Sequence, residues 1–293
     1  MVKTRLWSFD WLFYILVYAF AVAAFVVTLY PFLYVVSMSL SSAHAGYRGA
    51  VFLWPVEVTV SGYSQVLAQS GLWTAYGNTI YYTVVGTLFN IVATSIAAYP
   101  LSRKEFFARK FFNFFIAFTL FFNGGIIPSY LLLTNLGFYN SRWVMIIPGL
   151  LSAYNVMVCR SAYSAIPDEL VESAKIDGAN DLRIFASVAV RLITPTLAVL
   201  TLYYAVAHWN EYFTALLFFS KQALMPMQVL LRRVLIQMST EFNPTTLIPD
   251  EKAKVALQIR YVTIVVATLP ILAIYPLVQR YFVKGVMLGA VKG

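Results

Sequence analysis

The sequence predicts an all-α membrane protein with six transmembrane helices, and three observations lead to that class. Of the 293 residues, 60% are hydrophobic and only 11% are charged, whereas soluble domains carry about 25% charged residues. Six segments are apolar enough to cross a bilayer, which takes about 20 residues. Lys and Arg fall mostly in short segments between the apolar runs, so the net charge of +9 fits the positive-inside rule and not a nucleic-acid surface.

The first three predicted spans are free of charge along most of their length. Residues 11–36 carry no charge after Asp10 and are too long and aromatic for a cleaved signal peptide. Residues 75–101 are uncharged. Residues 111–133 are also uncharged but are interrupted by Asn123-Gly124-Gly125 and Pro128. Glycine and proline release backbone groups that need other partners, which membrane proteins tolerate where helices pack closely or a cavity opens.

The last three predicted spans complete a single transmembrane domain over residues 1–293. Residues 143–158 carry no charge. Residues 195–219 contain the densest set of polar groups, and residues 261–282 form the final apolar run. No separate soluble domain and no low-complexity tract is expected.

Charge asymmetry predicts that both termini lie in the cytoplasm. In this orientation thirteen of the 21 Lys and Arg residues lie inside, and six of the other eight lie in one long segment, 221–260, which weighs little in the rule. Three connections are longer than simple turns: the outer loops 41–73 and 221–260 and the inner loop 167–194. Residues 57–60 of the first outer loop look strand-like. Loops of this length are usually functional.

The inner loop predicts a short surface helix, a bend and a second helix. Pro167 presets the backbone for a helix start, and two acidic residues follow it at the positive end of the helix dipole. Gly178 after Asp177 allows a sharp turn, and Asn180 can cap the next helix through Phe185. From these features alone, a solvated amphipathic connector explains the loop equally well.

The order Glu172-Ser173-Ala174, three residues, then Gly178 resembles the EAA loop of binding-protein-dependent ABC importer permeases. The resemblance implies a coupling helix that docks into a groove on a cytoplasmic ATPase. One departure is Arg191, which stands where the family pattern has proline. Pro195 follows, so the bend into the fifth span is expected later than usual. The residues to which the resemblance assigns ATPase coupling are Glu169, Glu172, Ser173, Ala174, Asp177, Gly178 and Ala179.

Four further segments resemble one subfamily of maltose-permease-like carbohydrate permeases, that for complex polysaccharides and oligosaccharides. They are residues 123–128, 208–210, 226–232 and 280–286. The resemblance to the second permease of the alginate importer extends along the whole chain. It implies the type I ABC importer permease fold, and import by alternating access from a periplasmic binding protein to the cytoplasm. Alginate or its oligosaccharides are the preferred cargo, and neutral or pectin-derived oligosaccharides are the alternative.

Polar and aromatic residues of the spans are candidates for the translocation pathway, since aromatic faces stack on sugar rings and polar groups bond hydroxyls. The alternative is that they form hydrogen bonds between helices or to a partner subunit. Asn78 and Asn90 in the second span are expected to make packing bonds and not substrate contacts. Met225 to Met238 is expected to form an amphipathic helix that contacts the binding protein or lies at the membrane interface. Its candidate contact residues are Gln228, Arg232 and Arg233. The candidate pathway residues are Asn123, Tyr204, His208, Trp209, Asn210, Glu211 and Tyr212.

No phosphate-binding loop is present, so ATP and Mg are expected in a partner ATPase, with no cofactor, metal or catalytic residue in this chain. The expected partners are a second permease, as a heterodimer, two ATPase subunits, a periplasmic solute-binding protein, the saccharide and the lipid bilayer. Nucleic acid is not expected, and the expected location is the bacterial inner membrane. One alternative is a secondary sugar transporter, which needs inverted repeats and buried acids. The other is a membrane enzyme, which is disfavoured because the chain has only two histidines and no paired carboxylates in a span.

Overall fold

The structure is a computed structural model that describes residues 10–241 and 254–273. All regular elements in these ranges are helices, which confirms the all-α class. The predicted end of the sixth span, and residues 280–286, lie outside the described ranges. The helices are α1 (Asp10–Leu40), α2 (Ala43–Tyr47), α3 (Ser61–Leu67), α4 (Ser70–Ser102), α5 (Arg109–Phe121), α6 (Ile126–Asn135), α7 (Ala153–Ser164), α8 (Asp168–Ile176), α9 (Asp181–Leu192), α10 (Thr194–Asn210), α11 (Phe213–Phe218), α12 (Met227–Glu241) and α13 (Lys254–Ala273).

Within the described residues, three single helices are long and apolar enough to cross a membrane: α1, α4 and α13. Two bent pairs reach the same length and composition if each pair counts as one span. The pair α5 and α6 bends by 116°, and the pair α9 and α10 bends by 80°. The described chain therefore offers three to five spans, and the count of six remains a prediction.

The fourth predicted span differs from the continuous helix that its apolar sequence suggested. A single 3₁₀ turn covers Arg142–Met145, and α7 begins only at Ala153, where the Ser152 hydroxyl accepts a hydrogen bond from the Asn155 amide at 3.4 Å. Pro148 and Gly149 lie in the non-helical stretch between them. Proline lacks the amide that a helix needs at this point, and glycine is a poor helix former.

Contacts divide the chain into two compact units, and the first comprises residues 1–69 and 231–269. Its core holds Met38, Ala45 and Val51. Gln258 on α13 donates to the Ser41 carbonyl at 2.8 Å. Gly62 on α3 makes this packing possible, because a Cβ there would lie 3.1 Å from the side chains of both Gln258 and Val262.

The strand-like appearance of residues 57–60 does not lead to a strand. Their neighbourhood instead pairs with the end of α1, since the Thr59 amide donates to the Leu40 carbonyl at 2.9 Å and the Ser42 amide to the Val56 carbonyl at 3.2 Å. Glu57 has φ 53°, which interrupts an extended backbone. The prediction of strand-like structure here is wrong because Glu57 leaves the extended conformation and the Thr59 amide bonds to the end of α1.

The second unit, residues 70–230 and 270–293, is built around α4. Helices α7 and α10 both pack against it. Its larger core cluster contains Ala98, Cys159, Tyr163, Ile184 and Leu200. Because α4 packs against α5, α7 and α10, its polar residues help decide how the unit is held together.

The break between α5 and α6 depends on one glycine. Gly125 has φ 88° and ψ 169°, a region that is essentially restricted to glycine and costs other residues about 1–3 kcal/mol. We therefore expect Gly125→Ala to lower the thermal stability of the assembled protein, measured as the midpoint of heat inactivation in detergent. Gly124→Ala is the matched control, since its φ is not positive and nothing lies within 4 Å of an added Cβ. Equal midpoints for the two variants would contradict this assignment of the bend.

Candidate coupling loop and translocation residues

The predicted surface helix of the inner loop is present as α8. Asp168 and Glu169 lie in its first turn and Lys175 in its last, so each charge meets the favourable end of the helix dipole. Val171 is buried, and Ala174 packs beside it against the core cluster of the second unit. The loop is thus a packed structural element, and the structure does not bear out a wholly solvated connector.

The other face of α8 is exposed. It carries Glu172, Ser173 and the apolar side chains of Leu170 and Ile176, the last of which is 87% exposed. Gly178 ends the turn with φ 79°, as its sequence position predicted. A face that combines carboxylates with exposed apolar side chains is suited to binding another protein.

An exposed ion pair ties α8 to the end of α4. Lys104 Nζ lies 3.0 Å from Asp168 Oδ2. The hydrogen bond and charge of Lys104 hold the pKa of the Asp168 carboxyl below its ordinary value of 3.8. A carboxyl whose pKa is lower in the folded than in the unfolded protein stabilises the fold at any pH above the unfolded-state pKa. This stabilisation is lost as the pH falls through the folded-state pKa. The ion pair between Lys104 and Asp168 is therefore fully formed at neutral pH. Its contribution to stability is small, because both side chains are well exposed.

The helix after α8 begins as predicted. Asn180 Oδ1 accepts from the Arg183 amide at 2.9 Å and caps α9. Residues Ile184–Ala189 within α9 form a π-helical segment, a conformation that is often found at functional sites. The chain then bends at Ile193, one residue ahead of the α10 segment that carries Pro195 near its start.

The position of this bend follows from Pro195. A proline has no amide to donate to the carbonyl four residues earlier, which here belongs to Arg191. The Thr194 hydroxyl donates to that carbonyl instead, at 2.8 Å. Pro195 thus accounts for the bend at Ile193, while a bend later than is usual in the family stays a prediction.

The candidate pathway residues separate into a buried and an exposed group. Tyr204 and Trp209 are buried. The Tyr204 hydroxyl lies 2.7 Å from Thr94 Oγ1 and accepts from the Ser152 amide at 3.2 Å. These contacts join α10, α4 and the start of α7, so Tyr204 has a clear role in helix packing.

His208 belongs to the same packed interface. Its Nε2 lies 2.7 Å from Asn90 Oδ1. Asn90 Nδ2 donates to the carbonyls of Gly149 and Leu150 at 2.7 and 2.8 Å, which fixes the orientation of the amide. Asn90 Oδ1 must then accept, so His208 carries its proton on Nε2. The expectation that Asn90 makes packing bonds agrees with this network.

The exposed group consists of Asn123, Asn210 and Tyr212, with Glu211 partly exposed. Asn210 donates to the Val206 carbonyl of its own helix at 3.0 Å, and Asn123 Oδ1 accepts from the Gly125 amide at 2.9 Å. Glu211 Oε1 accepts from the Thr214 amide at 2.9 Å and so caps α11. Within the described residues Glu211 forms no ion pair with His208. Helix α10 ends at Asn210, which shortens the predicted fifth span.

Sequence reasoning missed the continuous buried face of α4. Its members recur every four residues, the spacing of one helix face, and this spacing could have revealed them. Asn78, in the first half of α4, donates to the carbonyls of Ala223 and Met225 and accepts from Arg142 Nη2 at 3.3 Å. Small and polar residues on one face are typical of helix packing in membranes. The buried residues with this spacing are Asn78, Tyr82, Gly86, Asn90, Thr94 and Ala98.

The predicted amphipathic helix near residue 225 is present as α12, Met227–Glu241. Gln228 and Arg233 are partly buried and Arg232 is exposed. In the part of the chain that the structure describes, no group of three or more His, Cys, Asp or Glu residues is arranged to hold a metal ion.

Comparisons with known proteins agree with one another. Residues 4–288 match the family described as binding-protein-dependent transport system inner membrane component. The polygalacturonan/rhamnogalacturonan transport system permease protein YtcP of Bacillus subtilis (strain 168) is 34% identical over 288 residues, 96% of this chain and 99% of YtcP. Protein LplC of the same strain is 35% identical over 271 residues, 91% of this chain and 90% of LplC.

A solved structure also resembles this chain over nearly its full length. It is a chain of a bacterial ABC transporter involved in the import of the acidic polysaccharide alginate, with a TM-score of 0.86 and 34% identity. The match covers 96% of the chain described here and 99% of that chain. At this identity and coverage the similarity extends to the overall fold.

Proposed function

Because the chain belongs to the family of binding-protein-dependent transport system inner membrane components and is a permease subunit of a carbohydrate ABC importer, we propose that its cargo is alginate or its oligosaccharides. The similarity to the alginate importer supports this cargo. The similarity to YtcP favours polygalacturonan or rhamnogalacturonan oligosaccharides as the second candidate. The cargo passes from a periplasmic binding protein to the cytoplasm of a bacterial cell by alternating access.

The proposed energy source is ATP, bound with Mg to two ATPase subunits that are separate chains. A second, different permease completes the pore, and both termini of this chain lie on the cytoplasmic side. The exposed face of α8 carries the proposal. It offers Glu172, Leu170 and Ile176 to a partner, while buried Val171 anchors the helix to α4 and α9. Movement of the ATPase subunits would therefore reach the spans through packed contacts.

The proposed sugar-contacting residues are the exposed members of the predicted pathway: Asn123, Asn210 and Tyr212. Their side chains are accessible in this chain and match what a saccharide needs, amides for hydroxyls and an aromatic ring for stacking. Tyr204, His208 and Trp209 position α10 behind them, and Glu211 holds the turn into α11. Contact of Gln228, Arg232 and Arg233 with the binding protein remains part of the proposal.

The test of ATPase coupling uses the complete importer in liposomes: this chain with its partner permease, the ATPase subunits and the binding protein. Binding protein loaded with alginate oligosaccharide should stimulate ATP hydrolysis. Glu172→Ala combined with Gly178→Pro should reduce that stimulation by about tenfold or more, since each 1.4 kcal/mol of lost docking free energy is tenfold. Lys110→Gln, an exposed cation outside α8, is the matched control and should leave it unchanged.

Three outcomes would contradict the proposal. Full stimulation in the α8 double variant would remove the coupling role of this helix. Stimulation by oligogalacturonate and not by alginate oligosaccharide would replace the preferred cargo with the second candidate. Stimulation by a neutral oligosaccharide such as maltotriose alone would exclude both acidic cargoes.

A further inference from the structure

A cavity of about 540 Å³ lies beneath α8, in a part of the second unit to which no role has been given above. It is enclosed by the last turns of α4, the loop after it, the inner face of α8 and the start of α9. One wall is apolar and aromatic and the other is charged. The apolar wall is formed by Ile96, Tyr99, Pro100, Phe106, Val171, Leu182 and Phe185.

Arg103 is the central charged group of this cavity. Its Nε and Nη2 atoms are buried and have no hydrogen-bond partner within the described residues, and its Cζ lies 4.9 Å from the centre of the Tyr99 ring. No described carboxylate lies within 4.0 Å of it. Leaving two donors of this partly buried cation without a partner is costly. Because Arg103 also lines the cavity, a rotation of its side chain would bring these donors to an anionic oxygen there and satisfy them.

The remaining charges of the cavity define the ligand more closely. Lys175 adds a second cation, and Glu105 and Asp181 add two carboxylates. All three side chains are exposed at the rim, whereas Arg103 is partly buried. A simple anion would meet two carboxylates as well as two cations. A ligand with both a phosphate and a primary ammonium group would match all four charges.

An apolar stripe on α4 leads into the cavity. Every fourth residue along one side of the helix is aliphatic and half or more exposed, and the last of them, Ile96, lines the cavity. Over 16 residues the stripe extends about 24 Å at 1.5 Å per residue. A long apolar chain fits along it. The residues of the stripe are Ile80, Val84, Leu88, Val92 and Ile96.

We propose that this cavity binds a membrane phospholipid with a phosphoethanolamine headgroup, with phosphate at Arg103 and Lys175 and ammonium at Glu105 and Asp181. The acyl chains extend along the α4 stripe. Charged pockets at the cytoplasmic ends of transmembrane helices are known to take lipid headgroups. The inference rests on the proposed function in one respect, the placement of α8 at the cytoplasmic side. Because α4 and α8 both line the cavity, the bound lipid braces the coupling helix.

The test places the complete importer in nanodiscs of phosphatidylcholine, alone or mixed with phosphatidylethanolamine or with phosphatidylglycerol. Phosphatidylethanolamine should raise the stimulation by loaded binding protein about fivefold over phosphatidylcholine, the lower end of typical coupling effects. A choline headgroup has no N–H to donate, and phosphatidylglycerol has no ammonium. Native mass spectrometry of the detergent-purified importer should show phosphatidylethanolamine retained on this chain.

Four variants make the test specific. Arg103→Gln should abolish both lipid retention and the phosphatidylethanolamine effect, and Lys110→Gln, outside the cavity, should preserve both. Leu182→Trp fills the cavity from an exposed position and should expel the lipid without disturbing the core. Glu105→Gln should reduce the preference for phosphatidylethanolamine over phosphatidylglycerol.

Four results would overturn the inference: equal activity in phosphatidylcholine and phosphatidylethanolamine, an equal effect of phosphatidylglycerol, unchanged lipid retention in both Arg103→Gln and Leu182→Trp, or an equal effect of soluble phosphoethanolamine. The last result would assign the cavity to a free metabolite. If alginate-loaded binding protein does not stimulate ATP hydrolysis in any of these lipid mixtures, the proposed cargo is wrong. Lipid retention then still tests the binding of phosphatidylethanolamine in the cavity.

Discussion

Replacing Asn90 with leucine is expected to lower the stability of the permease by roughly 3 kcal/mol or more, since each buried group left without a partner costs about 1–3 kcal/mol. Leucine is close to asparagine in size and removes only the hydrogen bonds. It would leave the Gly149 and Leu150 carbonyls and His208 Nε2 without their present partner. The measurement is the heat-inactivation midpoint of the assembled importer in detergent, with the yield of assembled complex as a second readout.

The matched control is Asn210→Ala. Asn210 is exposed and bonds only to the Val206 carbonyl of its own helix, so its removal should leave stability unchanged. Transport should fall in this variant because Asn210 belongs to the proposed pathway. The pair thus separates a residue that holds the helices together from a residue that contacts sugar. An Asn90→Leu importer as stable as the native one would show that this network contributes little.

Replacing Gly86 with valine is expected to have the second large effect, with a loss of about 1–3 kcal/mol or more from overpacking. A Cβ on Gly86 would lie 2.5 Å from His208 Nε2, closer than real contacts allow. His208 can avoid it only by rotating, and rotation breaks the bond to Asn90 Oδ1. Both the midpoint of heat inactivation and sugar-stimulated ATP hydrolysis should fall.

Two further variants show whether this loss comes from His208. Combining Gly86→Ala with His208→Ala should restore part of the stability lost in Gly86→Ala alone, and the double-mutant cycle measures that coupling. Gly77→Ala lies on the same helix with nothing within 4 Å of the added Cβ. It should be neutral or slightly stabilising, since glycine in a helix interior costs about 0.5–1 kcal/mol relative to alanine. Destabilisation by Gly77→Ala equal to that by Gly86→Ala would contradict the close-contact explanation.

The sequence predicted best those features that depend on neighbouring residues. The start of α8 after Pro167, the positive φ of Gly178 and the Asn180 cap each depend on two or three adjacent positions. Composition alone was sufficient for the all-α membrane class. For the long apolar helices α1 and α4, the predicted ends lie within a few residues of the observed ones.

The partners of the packing residues could not be predicted, because they are distant in the sequence. Asn90 bonds to carbonyls 59 and 60 residues further along the chain and to His208, 118 residues away. A hydropathy pattern contains no information on such pairs. The same pattern counted residues 143–158 as continuous because Pro148 and Gly149 are not polar, although both disfavour a helix. The capping role of Glu211 could not be predicted, because it requires α10 to end at Asn210.

The 80° bend between α9 and α10 places the two helices nearly at right angles, with the corner at Ile193. A displacement of α9 along its own axis does almost nothing to shift α10 lengthwise and instead carries the near end of α10 sideways. Rotation about the pivot is the motion that such an elbow transmits to the far end of its second arm. The part of α10 that moves most is then the part farthest from Ile193, where Asn210 lies. A small tilt of α9 beside α8 would therefore displace the residues of α10 in proportion to their distance from Ile193.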